Sequence, residues 1–283
     1  QVLTLFPYTT LFRSCHRAML LLADHAVGCG GRAESQARLA AERFAELTVG
    51  PRLEDLIDRA LASDESGVRA AQLLLQRRDA AVPALFERLC RTADPLEPGP
   101  LHALVITCGE AAVPTLLRHV ESPDEPRARL ALRLAGELQN PALLPALARA
   151  ARNAALPSQI EAIRSLCLVP GEAAREALAD ALASQLDQIA IAATQAIATR
   201  NGIDAVPALL DVLESHVRSS RTQLCRAVIE VLGRLGDERA VPRLAAILER
   251  RPVLRRAHWH AIQLAAVDAL CVLPTREARR AVE

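Results

Sequence analysis

Apolar residues recur at a fixed interval along most of the chain. Five copies of one nine-residue string mark the interval: AVPALFERL at Ala81, AVPTLLRHV at Ala112, LLPALARAA at Leu143, AVPALLDVL at Ala205 and AVPRLAAIL at Ala240. Their prolines define a reference column: Pro83, Pro114, Pro145, Pro207 and Pro242. The first two intervals are 31 residues and the third is twice that, which places Glu176 in the column for a missing copy. Such self-similarity predicts a repeat architecture.

Each copy has the spacing of an amphipathic helix. Positions −1, +2, +3 and +6 from the proline column are mostly apolar and share one face at 100° per residue. Position +2 is Leu in every copy: Leu85, Leu116, Leu147, Leu178, Leu209 and Leu244. A leading proline fits because first-turn N–H groups have no intrahelical partner. We expect Leu147 and Leu178 to be buried between units, whereas Arg175 at −1 interrupts the apolar stripe.

A second apolar segment precedes each proline-headed helix, and a tight turn such as Asn140-Pro141 or Gly236-Asp237 follows it. No segment alternates with period two, so we expect no sheet. One helix pair cannot bury both of its apolar stripes, whereas stacked pairs can. The predicted fold is therefore all-α, a right-handed α-solenoid of stacked antiparallel helix pairs.

Residues 228–249, VIEVLGRLGDERAVPRLAAILE, resemble a HEAT repeat of the short phycobilisome-lyase type. The resemblance lies in an Ala/Leu-rich first helix that ends in Leu-Gly-Asp, followed by Ala-Val-Pro at the head of the second. It extends over Leu53 to Val282 and implies an armadillo-like helical array. Because this family includes scaffolds, bilin lyases and a few other enzymes, the resemblance implies a fold rather than one activity.

The repeats also suggest how the chain is divided. We expect a solenoid over 53–283, with about six complete units and a truncated seventh that has Arg280 in the proline column. Truncation would leave an apolar face exposed around Ala266, Leu270 and Leu273. Residues 15–52 are expected to be an N-terminal helical segment or a diverged repeat, and ARLAAERFAEL within them has helical spacing.

The first fourteen residues differ from the rest in composition. Thr4–Ser14, TLFPYTTLFRS, resembles the in-frame translation of a common sequencing adapter. No basic residue precedes the apolar stretch and no small-x-small site follows it, which argues against a secretory signal. We interpret Gln1–Ser14 as a non-native tail and expect the natural N-terminus to be missing.

Composition indicates a cytoplasmic protein. Apolar runs are far shorter than the roughly 18 residues that span a bilayer, and the formal net charge is +1. The seven cysteines form no CxxC pair, and most fall in apolar helical runs, as in a reducing compartment. Cys15, His16, His25 and Cys29 have partly ligand-like spacing, but glycines interrupt the helix there. We expect no metal and no cofactor.

Enzymatic chemistry has little support in the sequence. No His is followed by Glu, the pair that marks HEAT-like di-iron hydroxylases, and aromatic residues for a base-flipping cleft are few. Phe86 falls on the apolar stripe, which favours core packing over base stacking. Ser219 and Ser220 near His216 lack a nucleophile elbow or a third partner, so a solvated turn is the simpler interpretation.

Two surfaces are candidates for binding a partner. The first is the row at +4 from the proline column, where we expect Arg118 beside Arg149, followed by Asp180 and Asp211. Solvated ion pairs are the competing interpretation of this row.

The second candidate surface comes from two longer intervals, 35 residues from Pro207 to Pro242 and 38 from Pro242 to Arg280. Both insertions are basic, through Arg218, Arg221, Arg250, Arg251, Arg255 and Arg256. Insertions at equivalent turns project from one edge of a solenoid.

These observations predict a non-catalytic HEAT-repeat scaffold or adaptor. The expected partner is another protein with an acidic or phosphorylated surface, because residues 200–283 carry 14 Arg against 10 acidic residues. A bilin lyase-like enzyme or chaperone of the phycobiliprotein type, implied by the repeat resemblance, is the first alternative. A nucleic-acid-binding HEAT-like protein is the second, although a small basic patch without an aromatic platform argues against it.

Overall fold

A computed structural model describes residues 51–92, 94–96, 98–251, 254–273 and 275–282. Over these ranges the regular structure is all helical, with no strand, which confirms that the fold is all-α. Three expectations concern residues outside the described ranges: the tail Gln1–Ser14, the cysteines and histidines at 15–29 with ligand-like spacing, and the helix in ARLAAERFAEL.

Fifteen α-helices follow one another in the described ranges. They are α1 (Pro51–Ala60), α2 (Glu65–Gln76), α3 (Arg78–Cys90), α4 (Pro100–Thr107), α5 (Val113–Val120), α6 (Glu125–Leu138), α7 (Leu144–Asn153), α8 (Leu156–Leu166), α9 (Glu172–Leu182), α10 (Asp187–Asn201), α11 (Val206–His216), α12 (Thr222–Leu235), α13 (Val241–Leu248), α14 (Arg256–Val272) and α15 (Arg276–Val282). Short 3-10 turns lead into four of the proline-headed helices, at Gly109–Ala112, Pro141–Leu143, Gly202–Ala205 and Glu238–Ala240.

The helices form two compact units; the first ends at Thr115 and the second begins at Leu116. In the first unit α2 packs against α4 and α1 packs against α3, with α1, α2 and α3 in mutual contact. The packing of α1 shows that Pro51–Ala60 takes the place of a second helix, a role that the repeat spacing had not predicted.

The second unit repeats one packing rule. Its first helices, α6, α8, α10, α12 and α14, each contact the next in the series. Among the second helices of the units, α7 contacts α9 and α13 contacts α15. Every leucine at +2 is buried, including Leu147 and Leu178, which are 0% and 2% exposed. The predicted core of this unit is therefore confirmed.

Two expectations about the helices were wrong. Pro83 does not head its helix, because α3 begins at Arg78 and carries Pro83 in its interior. In four other units a 3-10 turn occupies the equivalent positions, whereas α9 begins at Glu172, four residues before the column. Ala266, Leu270 and Leu273 are buried rather than exposed, since α15 packs against both α13 and α14.

The tight turns have local causes. Gly236 closes α12 in the left-handed region, at φ 71°, where glycine has no Cβ to clash. The Asp237 carboxylate then accepts a bond from the backbone N–H of Arg239, at 2.8 Å, and so caps the next turn. Asn140 does the same for Ala142, at 2.9 Å. Both turns confirm the sequence prediction.

Two glycines allow first helices to approach closely. A Cβ on Gly136 would lie 2.6 Å from Cβ of Ser165, and one on Gly233 would lie 2.8 Å from Cβ of Ala269. Both glycines stand nine residues before the proline column, so the same contact recurs, α6 on α8 and α12 on α14. At these two places the helix pairs approach until backbone meets side chain.

A membrane-spanning helix must pass a test of length and of hydropathy. No single helix in the described part of the chain is long and apolar enough to cross a bilayer. One pair bent by 107°, Pro100–Thr107 with Gly109–Val120, passes the same test when its two helices are taken together.

Leu147→Ala should lower the free energy of unfolding by about 2–5 kcal/mol, because it leaves a cavity among fully packed side chains. Urea unfolding measures the loss. Leu168→Ala, at a residue 40% exposed, is the matched control and should lose much less. Equal losses would show that the leucine column is not the core.

Gly233→Ala should lower the free energy of unfolding by about 1–3 kcal/mol through overpacking, although alanine favours helices over glycine by about 1 kcal/mol. The added methyl would collide with Cα and Cβ of Ala269. Ala269→Gly removes one of the two colliding atoms, so the pair should show a favourable coupling energy in a double-mutant cycle. A stabilising Gly233→Ala would contradict the close approach.

Candidate functional site: a basic edge and the cleft beneath it

The two longer turns lie where the spacing places them, each between a proline-headed helix and the next first helix. One turn joins His216 to Thr222, and the other joins Leu248 to Arg256. They contact each other, because Nη1 of Arg255 donates to the carbonyl oxygen of Arg218 at 2.9 Å. The structure thus brings the two basic insertions together.

The side chain of His258 anchors the first long turn through two hydrogen bonds. The imidazole, 8% exposed, places Nδ1 2.8 Å from the Thr222 hydroxyl and Nε2 3.0 Å from the carbonyl oxygen of Val217. The neutral tautomer with its proton on Nε2 satisfies both bonds: Nε2–H donates to the carbonyl, and Nδ1 accepts from the hydroxyl. The sequence pattern had not indicated this positioning role.

A cleft of about 230 Å³ opens between α11 and α13, and we refer to it as the α11/α13 cleft. Apolar residues contribute one part of its lining, Leu213, Val217, Ala246 and Ile247. Charged residues contribute the other part, Glu214, Arg218, Arg243 and Arg250. Three guanidinium groups against one carboxylate give the lining a surplus of positive charge.

The three arginines of this cleft are held differently. The Arg250 guanidinium carbon lies 5.2 Å from the ring centroid of Trp259, a cation–π distance. Arg243 forms an ion pair with Glu214. Arg218 is exposed and has no ion pair with any residue that the structure describes. Sequence reasoning missed Arg243, although its position at +1, where most units have Ala, was a usable signal.

Arg221 faces inward. Its Nε lies 2.6 Å from Oδ1 of Asp187, its side chain is 13% exposed, and Nη1 and Nη2 are buried without a hydrogen-bond partner. Burial, and to a smaller extent the charge of Arg221, lowers the pKa of His216. This arginine therefore ties the turn to α10 instead of presenting its charge to solvent.

The remaining insertion arginines are exposed. Arg251, Arg255 and Arg256 surround the second long turn. Together with Arg218 and Arg250 they form a surface that we call the basic edge. Ser219, considered above as a nucleophile, donates its hydroxyl to the backbone carbonyl of His216 at 2.6 Å and so closes the turn.

The +4 row forms ion pairs between neighbouring units. Arg149 pairs with Glu121 at 2.8 Å, and Asp180 pairs with Arg152 at 3.0 Å. Both pairs are largely exposed and contribute about 0–1 kcal/mol each. Arg118 and Asp211 are exposed on the same row. For Arg149 and Asp180 this arrangement agrees with the competing interpretation, in which the +4 row forms solvated ion pairs.

Metal binding needs several ligand side chains close together, and thiol chemistry needs a thiolate. No three His, Cys, Asp or Glu residues in the described ranges lie together as a metal site would require. Burial, followed by the charge of Asp187, raises the pKa of the Cys225 thiol to about 11. That thiol is protonated at neutral pH and is a poor nucleophile.

Comparisons with known proteins add one remote similarity. No family model matches the sequence, and no curated protein matches it. Among solved structures, human deoxyhypusine hydroxylase in complex with glycerol is similar at 17% identity and a TM-score of 0.36, over 94% of this chain and 99% of that chain. A similarity this remote carries no argument about fold or activity.

His258→Phe should loosen the first long turn while keeping an aromatic ring in place. Losing both bonds leaves the Val217 carbonyl without its partner, at a local cost of about 1–3 kcal/mol. Hydrogen exchange of residues 217–222 should accelerate, and His260→Phe, at an exposed position of the same helix, should leave it unchanged. Unaltered exchange in His258→Phe would mean that the turn does not depend on this residue.

Proposed function

We propose that this chain is a non-catalytic, cytoplasmic scaffold of HEAT repeats that binds an acidic surface of another protein. Its helix pairs would continue as a right-handed α-solenoid. The observation that carries the proposal is the contact between the two longest basic turns, which concentrates five exposed arginines on one edge. A surface of one sign attracts an oppositely charged partner and increases its association rate.

The local structure favours binding over a purely structural role for these arginines. Ion pairs elsewhere in the array match one base to one acid, as Arg149 matches Glu121. Arg251 and Arg256 have no such partner among the described residues. Repulsion between unpaired cations opposes their clustering, whereas an acidic partner would relieve it. A protein surface fits this edge better than nucleic acid does, because Trp259 is 8% exposed and offers no platform for stacking bases.

Charge reversal at Arg251→Glu with Arg256→Glu should abolish capture of the partner from source lysate without altering the helical content. These two residues are chosen because Arg255 also holds the turn through Arg218. Arg226→Glu with Arg234→Glu, at exposed positions of α12, makes the same change of charge elsewhere and should keep the partner bound. Captured protein is measured by mass spectrometry at increasing salt, which should weaken binding.

Two results would contradict this function. The basic edge is not the binding surface if the double reversal retains every partner that the wild-type chain captures. The chain is instead a nucleic-acid-binding protein if generic duplex or single-stranded DNA binds more tightly than the partner and its affinity falls steeply with salt.

A further inference from the structure

We infer that the α11/α13 cleft anchors a carboxylate side chain, with an apolar residue beside it, from a peptide segment of the partner protein. In the free protein Glu214 takes the place of that carboxylate on Arg243. This inference rests on the proposed function and specifies which chemical group of the partner binds in the cleft next to the basic edge. It also makes Glu214 an internal competitor, a residue whose removal should tighten binding.

The ion pair between Arg243 and Glu214 shows that a carboxylate fits this cleft. Both side chains are partly exposed, at 39% and 63%, so their pairing is weak and reversible. A guanidinium group has five N–H donors and binds a carboxylate through two of them at once. An incoming carboxylate that also reaches Arg218 or Arg250 would gain contacts that Glu214 lacks, and would displace it.

The charge of the cleft exceeds what its own acid neutralises. Its lining holds three arginines and one glutamate, whereas the pair of Arg149 with Glu121 and the pair of Arg152 with Asp180 are balanced. Glu121 and Glu214 both stand seven residues after the proline column. Glu214 shares its cleft with two further guanidinium groups, those of Arg218 and Arg250, besides its own partner Arg243.

The apolar part of the lining selects a neighbour for the carboxylate. Leu213 and Ile247 belong to the core, at 1% and 3% exposure, and Val217 and Ala246 complete the apolar surface. At about 230 Å³ the cleft is smaller than sites for drug-sized ligands, which hold roughly 300–1,000 Å³. It therefore suits one or two side chains of a peptide, an acidic one and an aliphatic one.

Trp259 both orients the cleft and reports on it. It is the single tryptophan of the chain, and its ring faces the Arg250 guanidinium at 5.2 Å. A contact of this kind limits the rotamers of Arg250, so less entropy is lost when a carboxylate binds. Because a carboxylate that binds Arg250 alters the charge beside the indole ring, tryptophan fluorescence should follow occupancy.

The test titrates the full chain with the peptide acetyl-Glu-Glu-Leu-Glu-Glu-Leu-amide and follows Trp259 fluorescence, with calorimetry as a second readout. We expect a saturable change. Glu214→Gln should bind the peptide about two- to fivefold more tightly, the scale of one lost surface ion pair. Glu121→Gln, which removes an equally exposed glutamate (62% against 63%) from the ion pair with Arg149, should leave the affinity unchanged.

Variants of the cleft and of the peptide define the recognised chemistry. Arg218→Glu with Arg250→Glu should weaken binding more than tenfold, because it reverses two of the three positive charges. Replacing both leucines of the peptide by serine should weaken it several-fold, and replacing the glutamates by lysine should abolish it. Circular dichroism checks that each variant keeps its helical content.

Several outcomes would overturn the inference. Unchanged or weaker binding by Glu214→Gln excludes internal competition, and equal tightening by Glu121→Gln excludes the cleft as its location. Binding only when phosphoserine replaces the glutamates makes the cleft a phosphate site. If reversal at Arg251 and Arg256 abolishes partner capture while the peptide leaves Trp259 unaltered, the basic edge stands and the cleft fails. If the peptide binds as expected and that reversal retains every partner, the proposed function fails and the cleft stands.

Discussion

Burial of the leucine at +2 of each unit is the interaction on which the array depends. A pair of helices has more apolar surface than it can cover alone, so each leucine requires the neighbouring pair to exclude water. That requirement explains the interval of 31 residues, because every unit must return the chain to an equivalent position. Gly136 and Gly233 extend the constraint to the first helices, where the backbones approach too closely for any side chain. Variation in length is tolerated only outside this packing, at the turns.

This division between rigid packing and variable turns sets where charges collect. Along the helices the repeat brings residues of neighbouring units to fixed separations, so an acid and a base pair one to one, as Arg152 does with Asp180. The longer turns contain inserted residues that do not follow the repeat spacing. Arg221 still pairs with Asp187 of the adjacent unit, but Arg218 and Arg251, in the same two turns, form no ion pair with a described residue. A charge surplus thus arises at the edge as a consequence of insertion length.

The helices and their buried faces could be predicted from the sequence because both are local properties with a period of 3.6 residues. The same approach failed where the outcome depended on a distant segment. Nothing near Ala266 or Leu270 indicates that α15 covers them, and nothing in Pro83 itself indicates that α3 begins five residues earlier. The meeting of the two basic turns followed from the spacing, but the cleft did not. It depends on the orientations of Glu214 and Arg243, 29 residues apart, whose pairing no periodic pattern specifies.

The first turn of α14 supplies the support that the basic edge needs. Five arginines placed close together repel one another, and a long turn without anchors would separate to relieve that repulsion. His258 and Trp259 are consecutive, so their side chains leave the helix about 100° apart. One therefore reaches the Val217 carbonyl of the first turn, and the other reaches Arg250 at the start of the second. Their rings also meet edge to face, with centroids 5.7 Å apart. Two buried side chains in one helical turn thus hold both insertions against their own charge, which is the condition for presenting that charge to a partner.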